Sequence, residues 1–302
     1  MVVLRTPEEF SEILEISVSQ LVVNPSYDPE LNRESYERLR SFISDFLSDS
    51  NEVVVDTLVI RQHSEDQCYP LIILSDSLPI KVNSLILELD DYPLTWIRDE
   101  DLSDISDKKF PNLESLSVEG GIDTDKPLNL ANLKNLTLLS SHNNYEDIIR
   151  FIHTSDIKAL EKLSISASDA EAFTESLSCA NPHDVIWSHL PKLKDLTIGT
   201  RDIISWEQVL LPELLNRLDN LCIILDTTMI DPDEELDSLN KNVTRLMTII
   251  SDTVKLGTCK VTLLLAPDVL EISENTMVRQ LSTATNFNIE ETSPLTVGGW
   301  GC

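Results

Sequence analysis

Phe110-Pro-Asn-Leu113-Glu-Ser-Leu116-Ser-Val118 and Leu130-Ala-Asn-Leu133-Lys-Asn-Leu136-Thr-Leu138 follow one template, apolar-x-x-Leu-x-x-Leu-x-apolar. It recurs as Ile157-Lys-Ala-Leu160-Glu-Lys-Leu163-Ser-Ile165, Leu190-Pro-Lys-Leu193-Lys-Asp-Leu196-Thr-Ile198 and Leu215-Asn-Arg-Leu218-Asp-Asn-Leu221-Cys-Ile223. Five copies at one internal spacing define a repeat protein, in which each unit buries its apolar side against its neighbours. The closing Leu-x-apolar stretch alternates with period two. That is the pattern of a strand with one buried face, so successive copies predict a stacked parallel sheet.

Weaker copies flank these five. Val55-Asp-Thr-Leu58-Val-Ile60 and Val82-Asn-Ser-Leu85-Ile-Leu87 come before them, and Lys260-Val-Thr-Leu-Leu-Leu265 comes after. From Leu58 to Leu221 the second template leucines are 27, 31, 20, 27, 33 and 25 residues apart, so the array is irregular. The connecting segments carry helical spacing, with Tyr145, Ile148, Ile149 and Ile152 on one face and Trp206, Val209 and Leu210 on another. Asp231 to Gly257 reads as one long helix stopped by its glycine. Thr6-Pro7-Glu8-Glu9 is a capping sequence and predicts a helix to about Val22, followed by a second from Asp28 to about Ser48. Pro267 to Leu281 predicts a further helix and Phe287-Asn-Ile289 a last strand.

The segments from Val53 to Leu265 resemble the leucine-rich-repeat superfamily, whose pattern Leu-x-x-Leu-x-Leu-x-x-Asn/Cys they match at the leucines. The family's Asn or Cys position holds His63, Asp90, Gly121, Ser141, Ser168, Arg201 and Asp226 instead. The resemblance implies an α/β fold, a right-handed solenoid with a parallel sheet on the concave side and helices on the convex side. The corresponding division is an N-terminal helical cap over residues 1–50, irregular repeats over 51–265, and a C-terminal cap and flexible tail over 266–302.

Composition narrows the function. Of 302 residues, 41% are hydrophobic and 25% charged, which suits a folded chain. Fifty-two Asp and Glu against 23 Lys and Arg give a formal charge of −29. Such a field repels phosphate backbones and anionic lipid, so neither nucleic acid nor membrane is expected as a partner. The same charge serves solubility or steers a basic protein to the surface. The first residues show no basic region before an apolar core, and Cys68, Cys179, Cys222, Cys259 and Cys302 are widely spaced without a Cys-x-x-Cys. Reduced thiols in the cytoplasm or nucleus are the expectation.

No phosphate-cradling glycine loop and no Gly-x-Ser-x-Gly elbow occur. His63, His142, His153, His183 and His189 lack metal-ligand spacing to one another or to cysteine. Asp90-Asp91 and Asp99-Glu100-Asp101 lack the spacing of a calcium loop. No enzyme activity, cofactor or metal is expected.

In this repeat family the residues on either side of the second leucine point from the concave sheet, so the resemblance implies a partner-binding face. It comprises Thr57, Ser84, Ser115, Ser117, Asn135 and Thr137. It continues through Lys162, Ser164, Asp195, Thr197 and Asn220, with Val59, Ile86 and Cys222 among them. The face is mostly small and polar and lacks the aromatic anchors that dominate many interfaces. The expected function is a non-enzymatic protein-interaction module, scaffold or adaptor binding a protein partner. Two alternatives follow from resemblance. Pro7-Glu-Glu-Phe-Ser-Glu-Ile13-Leu14-Glu-Ile16 resembles the start of an F-box, which implies a ubiquitin-ligase substrate adaptor. The acidity resembles that of repeat proteins that regulate a GTPase, such as Ran GTPase activators.

Overall fold

The computed structural model describes residues 2–4, 20–23, 53–62, 80–89, 105–107, 110–119, 127–139, 151–167, 187–200, 210, 212–225, 236–265 and 275–291. Among them the fold is α/β, and every strand pair with a defined register is parallel. The chain divides into two units. The first is Met1–Leu138 with Asp147–Leu160, and the second is Leu139–Glu146 with Glu161–Cys302.

In the first unit the strands are β1 (Val2–Leu4), β2 (Gln20–Val23), β3 (Val53–Gln62), β4 (Ile80–Leu89), β5 (Ser115–Glu119) and β6 (Asn135–Leu139). In the second they are β7 (Lys162–Ala167), β8 (Asp195–Thr200), β9 (Asn220–Leu225), β10 (Lys260–Leu265) and β11 (Phe287–Glu291). Within each unit, neighbours in the sheet are neighbours in sequence. The helices of the second unit with defined bounds are α1 (Pro212–Leu215), α2 (Leu236–Leu256) and α3 (Thr276–Leu281), and residues 151–154 and 187–189 are also helical.

The template's first half is a turn. In the first unit the Leu113 N–H donates to the Phe110 carbonyl at 3.1 Å, Leu133 to Leu130 at 3.1 Å and Leu160 to Ile157 at 3.0 Å. In the second unit Leu193 donates to Leu190 at 3.2 Å. Such a four-residue turn places two residues between its ends, which is the spacing of apolar-x-x-Leu, and both ends of each turn are buried. The fifth copy differs. Its turn is the end of α1, where Arg217 and Leu218 both donate to the Leu214 carbonyl, at 2.9 and 3.3 Å.

The template's second half is the strand, entered through a shared carbonyl. Glu114 O accepts from Lys134 N at 2.8 Å and Asn135 N at 2.9 Å. Glu161 O likewise accepts from Lys194 and Asp195, at 2.9 and 3.0 Å, and Lys194 O from Asp219 and Asn220, at 2.8 and 3.1 Å. Corner groups that would otherwise be unsatisfied are thus used twice, and the next strand's register is fixed by its first two amides.

That register places leucine beside leucine. Leu58, Leu85 and Leu116 are aligned in the first unit, and Leu163, Leu196, Leu221 and Val261 in the second. The residues two further on, Leu87 and Val118 in one unit and Ile165, Ile198, Ile223 and Leu263 in the other, form a second buried row. Each such side chain contributes roughly 1.5–3 kcal/mol of burial.

Helix α2 covers part of the second unit with Val243, Leu246, Met247, Ile250 and Val254, all buried at helical spacing. It ends at Gly257, whose φ of 65° is the left-handed conformation that glycine adopts without strain. Asn275 caps α3. Its Oδ1 accepts from Met277 N at 3.0 Å, and its Nδ2 donates to Asn240 O at 3.2 Å and Thr244 Oγ1 at 2.9 Å, tying α3 to α2.

The structure departs from the sequence reading at the N-terminal end. Strands β1 and β2 lie within residues 1–50, assigned to a helical cap, and β2 occupies Gln20–Val23 where a helix was expected to run to about Val22. Leu21 pairs in register with Leu58, so sheet hydrogen bonding and the leucine row prevail there over local helical spacing. Val18-Ser-Gln-Leu21-Val-Val23 is itself a copy of the template. At the other end β11 falls where Phe287-Asn-Ile289 was expected to form a last strand, and it continues the parallel sheet. The second N-terminal helix, the seven turn positions from His63 to Asp226 and the tail lie outside the described residues.

Replacing Leu163 by Ala should cost about 2–5 kcal/mol in urea unfolding, because it empties part of a closed row. Thr137→Ala, on the other face, should change stability by less than about 0.5 kcal/mol. Equal effects would contradict the assignment of faces.

Candidate interaction surface

The strand residues that do not enter the core form the surface of interest. In β5 and β6 the alternation is strict: Leu116, Val118, Leu136 and Leu138 are buried, while Ser115, Ser117, Asn135 and Thr137 are partly exposed. Thr57, Ser84 and Ile86 are also partly exposed in the first unit, as are Ser164, Asp195, Thr197 and Cys222 in the second. Lys162 and Asn220 are exposed. One expected face residue is not on the surface. Val59 is only 2% exposed, so the face is covered at that point.

Three of the expected residues are joined. The Lys162 Nζ lies 3.3 Å from Asp195 Oδ2, and Asn220 Nδ2 donates to Asp195 Oδ1 at 2.6 Å, so one carboxylate links β7, β8 and β9. One residue earlier in each strand, Lys194 meets Asp219 at 3.4 Å, and in the first unit Lys134 meets Glu114 at 2.8 Å. Asn83 Nδ2 donates to Asp56 at 3.3 Å. Apart from Asp56–Asn83, which lies within β3 and β4, these cross-strand pairs sit where strands begin, and several of the chain's few lysines are used there. Each exposed pair contributes about 0–1 kcal/mol, so their main effect is to select register over slippage.

A third outward row was missed in the sequence. It contains Glu88 and Glu119, register partners in the first unit, Leu139 at the end of β6, and Ile224 and Leu264 in the second unit, with Gly199 beside Ile224 buried. Ile224 and Leu264 are partly exposed. The signal was present in consecutive apolar residues, Ile223-Ile-Leu225 in β9, Leu263-Leu-Leu265 in β10 and Leu138-Leu139 at the end of β6, which break the period-two alternation.

Two described thiols lie in the second unit. Burial pushes the Cys222 thiol up to about 11, helped by the charge of Glu290. Burial also raises Cys259 to about 11, with Asp219 and then Asp195 adding to it. Both are protonated at neutral pH and act as small apolar groups rather than nucleophiles. Among the described residues no group of three or more His, Cys, Asp or Glu is placed to hold a metal ion. No helix among them is long and apolar enough to cross a membrane.

No family model and no curated protein matches this chain. A crystal structure of a protein from Bacteroides fragilis, a structural-genomics target, is similar to it with a TM-score of 0.51 and 15% identity. The match covers 93% of this chain and 76% of that one. At that identity the likeness is one of fold.

Alkylation of Cys222, followed by mass spectrometry of its peptide, should be slow at pH 8 and accelerate as the pH approaches 11. Glu290→Gln should move that rise to lower pH, since it removes a charge that disfavours the thiolate. A rate already maximal at pH 8 would contradict the placement of the thiol.

Proposed function

We propose that this chain is an irregular right-handed leucine-rich-repeat solenoid whose concave sheet face binds a protein, and that it acts as a non-enzymatic interaction module, scaffold or adaptor. The observation that carries this reading is the long row of outward strand positions, partly exposed from Ser115 to Thr137 in one unit and from Ser164 to Cys222 in the other. A parallel sheet ordinarily has both faces covered. Leaving one open, with small side chains along it, provides a platform that no folding requirement explains. The charge of −29 favours a basic partner through faster encounter and disfavours nucleic acid and membrane. Widely spaced cysteines without a Cys-x-x-Cys fit a reducing compartment, the cytoplasm or nucleus.

Crosslinking mass spectrometry of the protein in its native complex tests this directly. Lys134, Lys162, Lys194 and Lys260 lie where strands begin, whereas Lys241 and Lys255 lie on α2. Links to one partner should concentrate on the first set. A concentration on Lys241 and Lys255 would assign binding to the helices instead.

A further inference from the structure

We draw no further inference here: the strongest candidate, the outward aliphatic patch formed by the register partners Ile224 and Leu264 on β9 and β10, is a partly exposed sheet face, and nothing among the described residues shows what covers it.

Discussion

Parallel register is the constraint on which the rest of this molecule depends. A strand such as Ser115–Glu119 has only two inward side chains, too few to hold it in place alone. It persists because Leu116 lies beside Leu85 and Val118 beside Leu87, and because a slip of one residue would turn both leucine rows toward solvent. The double use of the Glu114, Glu161 and Lys194 carbonyls sets that register at the first residues of the following strand. The ion pairs reinforce it where strands begin.

From this constraint follows the division of labour between the two faces. The inward rows and the turn leucines consume the repeated template almost entirely, so they vary little in kind along the chain. The outward rows are under no such demand and do vary: small and polar at Ser115, Ser117, Asn135 and Thr137, polar and bridged at Lys162, Asp195 and Asn220, aliphatic at Leu139, Ile224 and Leu264. Variation confined to one face of a regular scaffold is how a repeat protein acquires a specific surface without altering its fold.

The inward half was legible in the sequence because it is written in two local signals, the four-residue turn and period-two alternation. Leu133 and Leu136 could therefore be placed from spacing alone. Strand β2 was harder to read. Its template copy is short, it follows a capping sequence and helically spaced Ile13 and Ile16, and only pairing of Leu21 with Leu58 settles it as strand. The face was partly legible. Positions flanking the second leucine fall on strands in all seven copies from β3 to β9, yet Val59 is covered, and the row holding Ile224 and Leu264 emerges only when continuous apolar runs are read as two-sided strands. What covers or binds a face is set by contacts distant in sequence, and a local pattern cannot encode them.

The account's central claim is that one side of these strands is core and the other is open. Residue-resolved hydroxyl-radical footprinting of the full chain, without any partner, tests it most directly in β9 and β10. The account predicts alternating oxidation, with Cys222, Ile224 and Leu264 labelled and Leu221, Ile223, Val261 and Leu263 protected. Uniform protection of both sets would show the face to be closed, and uniform labelling would show that the strands do not pack as described.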